Sequence, residues 1–105
     1  MNASSQPEWE FTAPLWKWEG NAAWHFVTLP FDVTDEIDEL TEGRRRGFGS
    51  VRVQVTVGAR TWATSIFPDT KAGSFVLPVK KAVRTAEGLA DGAPVAVELE
   101  LLDST

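Results

Sequence analysis

The chain has 105 residues, one histidine, no cysteine and a net charge of −5. That length suits one domain with its own core, and the lack of cysteine excludes a disulfide framework, a thiolate metal site and a cysteine nucleophile. No apolar run is long enough to span a bilayer, and Met1-Asn2-Ala3-Ser4-Ser5-Gln6-Pro7 has neither the basic nor the apolar part of a signal peptide, so a cytoplasmic protein without membrane association is expected.

Residues 1–7 are small and polar and read as a disordered tail. Glu8 to Ala13 alternates apolar with polar residues, which predicts a strand with Pro14 near its end or at a sheet edge; Trp16 and Trp18 continue the alternation. Glu19-Gly20-Asn21 is turn chemistry, and Trp24 to Leu29 is an aromatic and branched run that predicts a second strand, ended by Pro30. In the acidic segment that follows, Val33, Ile37 and Leu40 recur at helical spacing, with Asp32 as its N-cap and Gly43 near its end. Thr41 to Gly49 is a loop with three successive arginines. Ser50 to Val57 sets four valines on one face, Gly58-Ala59 makes a tight turn, and Arg60 to Phe67 returns as the partner strand. Pro68-Asp69 and Ala72-Gly73 bound a loop before the short strand Ser74 to Leu77 and Pro78. The next helix is predicted to turn Val79, Ala82, Val83 and Ala86 inward and Lys80, Lys81 and Arg84 outward, with Gly88 in a left-handed stop and Leu89 folding back onto Val83. Val95, Val97, Leu99 and Leu101 mark the last strand, and residues 103–105 are a polar tail, leaving 8–102 as a single domain.

Both halves follow one plan: strand, strand, Leu-Pro, helix, Gly-containing turn, valine-rich strand. A shift of 48 lays Leu29-Pro30 on Leu77-Pro78, and a shift of 44 lays Val51, Val53, Val55 and Val57 on Val95, Val97, Leu99 and Leu101. Two ββαβ pseudo-repeats of this kind predict a mainly β fold, a closed six-stranded barrel of the double-psi or cradle-loop type with two short helices. Each half alone leaves an apolar strand face open, and closure against its twin covers it. The Leu-Pro step switches strand to helix, because proline has no N–H for a continuing sheet and a backbone angle suited to a helix start.

The run Trp24 to Pro30, the strand Gly49 to Val57, Trp62, and the segment Phe75 to Arg84 with Gly88-Leu89 resemble the bacterial family catalogued as domain of unknown function 1905. The resemblance covers the chain from Trp9 onward. It implies a small β-barrel domain, of a kind sometimes fused to other domains, and no established activity. Phe75 to Leu101 also resembles the strand, helix and strand unit of AbrB-type swapped-hairpin DNA-binding regulators. Gly92-Ala93 stands where that unit has Gly-Asp, and the first half carries an acidic helix.

Charge is unevenly distributed along the chain. Residues 1–43 carry Lys17 against nine acids, residues 44–84 carry nine Lys or Arg against Asp69 alone, and residues 85–105 carry five acids. Folding either gathers these into acidic and basic faces or intersperses them as solvated surface. No hydrolytic or transfer constellation is present, and Gly47-Phe48-Gly49 precedes a strand, where a phosphate-cradling loop would precede a helix. His25 lies in an aromatic strand, where a hydrogen-bonded structural role is expected; Asp35 and Glu39 lie on a helix face, where solvation explains them. The chain is therefore read as a noncatalytic, monomeric binding module with no cofactor and no metal. Five tryptophans are many for so short a chain. Packing at the barrel ends accounts for some, and a ligand site for a small molecule or peptide is placed near Trp16, Trp18, Trp24 and Trp62, with Arg46 or Arg84 orienting an acidic group. A nucleic-acid module would instead use Arg44, Arg45, Arg46, Arg52, Lys80, Lys81 and Arg84 as phosphate contacts. A protein-interaction module would pair its acidic and basic faces with a partner's.

Overall fold

The computed structural model describes residues 8–20, 24–42 and 49–102. The expected tails at 1–7 and 103–105, and the loop residues Arg44, Arg45 and Arg46, lie outside them. In chain order the elements are β1 (Glu8–Lys17), β2 (His25–Thr28), α1 (Phe31–Thr41), β3 (Val51–Val57), β4 (Arg60–Asp69), β5 (Ser74–Pro78), α2 (Lys81–Ala86) and β6 (Pro94–Leu101). The strands close into a barrel in the order β1-β2-β5-β4-β3-β6, with every neighbouring pair antiparallel. This is the mainly β, six-stranded barrel with two short helices that the alternation predicts. Neither helix is long and apolar enough to cross a membrane.

The period-two pattern decides which side chains fill the barrel. Val51, Val53, Val55 and Val57 of β3 and Val95, Val97, Leu99 and Leu101 of β6 are buried, while Arg52, Ala96 and Glu98 between them are exposed. Leu15, Val27, Ile66 and Leu77 complete the same core from the remaining strands. Removing this apolar surface from water is the main source of stability for a barrel of this size.

Two strands are longer than expected, for one reason. β1 runs through Pro14: residues 8–14 pair with β6, and 15–17 pair with β2. Pro14 faces Pro94, and the ladder survives beyond them because Leu15 N–H donates to Ala93 O at 2.9 Å and Gly92 N–H donates to Leu15 O at 2.7 Å. β4 likewise takes in Pro68 and Asp69, which the sequence suggested were loop; residues 60–66 pair with β3, and 67–69 with β5. Each proline sits at or next to the point where its strand exchanges one neighbour for another, so a missing donor costs little there.

Exchanging β1 with β4, β2 with β5 and β3 with β6 leaves the ring order unchanged. The registers obey the same exchange. Laying Val27 on Phe75 lays their cross-strand partners, Leu15 and Pro68, on one another. Laying Val97 on Val53 does the same for Phe11 and Thr64. Both require the same offset between β1 and β4, which brings Trp9 onto Trp62.

The helices depart from the sequence reading in detail. Pro30, not Asp32, is the N-cap of α1; Asp32 lies inside the first turn, where its charge favours the helix dipole, and the helix buries Val33, Ile37 and Thr41. α2 starts only at Lys81 and is so short that Val83 alone is buried within it, with Val79 buried just before. Ala82 and Ala86 are exposed, and Arg84 is half-buried, contrary to the helical-wheel expectation. One and a half turns of helix do not sustain a full apolar stripe. The stop is as expected: Gly88 has φ of +64° and Leu89 N–H donates to Arg84 O at 2.8 Å.

Candidate functional site

β5 ends at Pro78, whose ring supplies no N–H, and Val79 N–H donates to His25 O at 2.9 Å as the chain leaves the sheet for α2. That departure leaves a groove of about 510 Å³ between the start of β2, the first half of β4 and the start of α2. Its apolar walls include Trp24, Trp62 and Pro78, and its cations are Lys80, Lys81 and Arg84; among the described residues no carboxylate lines it. Arg84 is held in place, since its Nε–H donates to Val79 O at 3.2 Å. The other guanidinium N–H groups can meet an anion in a fixed orientation, and Lys80 and Lys81 are exposed. Chemically the groove suits an acidic ligand with an apolar or flat body.

Of the expected ligand residues, Trp24, Trp62 and Arg84 come together here. Trp16 and Trp18 do not; they line a second, more open groove of about 980 Å³, for which Trp24 is the shared wall. The single tryptophan-lined barrel end is thus divided in two. Trp16 is tied down by its indole N–H, which donates to Thr28 Oγ1 at 2.8 Å, and its ring lies 5.1 Å from Phe26. Trp24 stacks on the same Phe26 at 6.0 Å and 12° while remaining 51 % exposed, and Trp18 is 47 % exposed. Two rings on one phenyl support the platform, so the exposed indole of Trp24 is pre-positioned. Arg46 lies outside the described residues.

His25 is 8 % exposed, and its Nε2 lies 2.7 Å from Asp91 Oδ1. Its Nδ1 is buried without a partner among the described residues. Nε2 carries a proton and donates it to the carboxylate, which can only accept. Among the described residues no group of three or more His, Asp or Glu could hold a metal ion.

Of the residues expected to contact phosphate, Lys80, Lys81 and Arg84 share the groove. Arg52 does not; it is exposed on the outer face of β3, with Nη1 3.4 Å from Ser65 Oγ. Beyond Arg52 the outer sheet is acidic. Glu8 faces Glu100 and Glu10 faces Glu98 across β1 and β6, and Gln54 and Thr56 of β3 face the same two β6 glutamates. These four carboxylates share the β1–β6 face, and the groove cations gather beside β4. Sequence reasoning missed three long-range partners: Asp91 for His25, Glu36 for the Trp9 indole at 2.8 Å, and Glu87 for the Ala59 N–H at 3.3 Å. No local periodicity signals such pairs.

The chain matches the family Domain of unknown function (DUF1905) over residues 11–99 and belongs to it. No curated protein matches it.

Proposed function

We propose that this DUF1905 domain is a noncatalytic binding module whose ligand, a small molecule or peptide bearing an acidic group, lies against Trp24 and Trp62 with Arg84 on its carboxylate. One observation carries the reading: a groove walled by two indoles and bounded by three cations, with no carboxylate among the described residues of its lining. The indoles contribute apolar contact and the guanidinium contributes charge-assisted hydrogen bonds. The test is tryptophan fluorescence titrated with aromatic carboxylates such as benzoate and phenylacetate, and with the matching neutral amides. The carboxylates bind and the amides do not, and Arg84→Gln weakens carboxylate binding about tenfold, the effect of losing roughly 1.4 kcal/mol of a charge-assisted contact. Equal response to acid and amide, or an Arg84→Gln protein that binds as the parent does, contradicts the reading.

The nucleic-acid alternative draws on the same Lys80, Lys81 and Arg84. It is weakened by the position of Arg52 beside an acidic sheet face, since Glu98 and Glu100 there repel a phosphate backbone. Salt-sensitive binding of a mixed-sequence duplex would favour it over the small acidic ligand.

We also infer that the barrel arose by duplication of a ββαβ unit. The offset shared by two independent strand pairings supports this, because unrelated halves have no reason to agree in register.

A further inference from the structure

The groove runs beside a strand edge that has no partner strand among the described residues. β4 pairs with β3 through residues 60–66, but with β5 only through 67–69, because Leu77 and Pro78 of β5 pair with β2 alone. The two-residue turn at Gly58-Ala59 makes Val57 and Arg60 a hydrogen-bonded pair. Antiparallel alternation extends that state to Val55 with Trp62 and to Val53 with Thr64. The backbone N–H and C=O groups of Thr61, Ala63 and Ser65 therefore point away from β3, toward the space that β5 has left. Among the described residues no strand pairs with residues 61–65 on that side. The corresponding stretch of β1 is better guarded: Pro14 interrupts its donors, and the Trp9 indole is tied to Glu36 of α1.

An unpaired edge is a template for another strand. We propose that the occupant of the groove is an extended acidic peptide that adds a strand to β4, bonding the backbone of Thr61, Ala63 and Ser65 while its carboxylates meet Lys80, Lys81 and Arg84. This deepens the binding-module reading and rests on it. The edge and the groove are separate observations that meet at Ala63, which Trp62 and Thr64 flank in the groove lining. Charge complementarity selects an acidic segment. Alternate side chains of an added strand face opposite sides, so one set of residues reaches the groove, with its indoles and cations, and the other set faces solvent. A segment of about five residues, about 17 Å when extended, covers the free edge. Backbone bonds supply affinity with little sequence demand, and the cations reject basic peptides.

The test is amide hydrogen exchange, followed by NMR on the labelled chain, with an acetylated eight-residue peptide alternating glutamate and valine. Exchange at Thr61, Ala63 and Ser65 slows at least tenfold with this peptide and is unchanged by its lysine-for-glutamate counterpart. Of two analogues N-methylated at odd or at even positions, one loses binding and the other keeps it, because only one set of peptide N–H groups faces β4. Ala63→Pro removes an edge donor and weakens binding tenfold or more; the methylated peptides give the same answer on the unaltered protein if that variant does not fold. Perturbation of Trp62 and Arg84 by benzoate, with no protection of the three amides by the peptide, overturns strand addition and leaves the groove reading standing. Absence of any response to benzoate or peptide overturns both. Protection of the same amides that grows with protein concentration, without peptide, makes a second copy the occupant and overturns the peptide assignment.

Discussion

At the scale of single residues, the side chains that matter most are held by partners far away in sequence. Asp91 is 66 positions from His25, Glu87 is 28 from Ala59, and Glu36 is 27 from Trp9. The sequence identified His25 as a hydrogen-bonded structural residue but offered no means of naming Asp91, because its exposed turn sets no periodicity. The tryptophans were legible as a group, and their division between two grooves was not; it depends on Phe26 supporting both Trp16 and Trp24. His25 lends itself to a direct check. Asp91→Ala removes the partner of Nε2 from a ring that is 8 % exposed, leaving a buried polar atom unpaired at a cost of about 1–3 kcal/mol. Asp91→Asn retains a carbonyl acceptor and costs less. Urea denaturation measures both, and equal losses would show that the hydrogen bond is not what Asp91 contributes.

At the scale of elements, alternation and turn chemistry carried most of the information. The four valines of β3 and the apolar positions of β6 are buried as read, and the Gly58-Ala59 hairpin and the Gly88 stop fall where the sequence put them. Errors arose where an element is short or shared. The sequence puts Pro14 near the end of its strand or at a sheet edge; in the barrel the strand continues through it, at the point where β1 passes from β6 to β2. Ala82 and Ala86 were read as inward because a helical wheel assumes several turns, and α2 has only six residues. The β3–β4 hairpin supports a prediction at this scale. Gly58 has φ of +60°, and a Cβ there would run into the Glu87 carboxylate, which receives the Ala59 N–H and docks the hairpin against the end of α2. Gly58→Ala therefore destabilises the protein by about 1–2 kcal/mol from the left-handed conformation; the Glu87 carboxylate, at the end of a flexible side chain, swings aside and gives up its bond to the Ala59 N–H. A variant as stable as the parent by chemical denaturation would contradict the turn geometry.

At the scale of the whole molecule, the exchange of halves and the distribution of charge govern the account. The pseudo-repeat was legible from Leu29-Pro30 and Leu77-Pro78, but the partner exchange that frees the edge of β4 was not, because pairing is a property of the closed ring and not of any segment. Glu8 and Glu100 face each other across β1 and β6, in the position that β3 and β4 occupy at the Gly58 turn. A circular permutant that joins the residues flanking 8 and 101 through a short linker and opens the chain between Gly58 and Ala59 should fold to the same barrel with reduced stability, having lost the docked hairpin. Near-ultraviolet circular dichroism and cooperative thermal unfolding check this, and a permutant with neither would argue against interchangeable halves. The three cations of the groove are what support the proposal that acidic ligands enter beside β4. Its most direct measurement is an amide NMR titration of the labelled protein with benzoate at low and at higher salt. Salt-sensitive shifts should concentrate at Trp24, Trp62, Lys81 and Arg84; shifts centred on Arg52, or none at any residue, would show that acids do not bind in the groove.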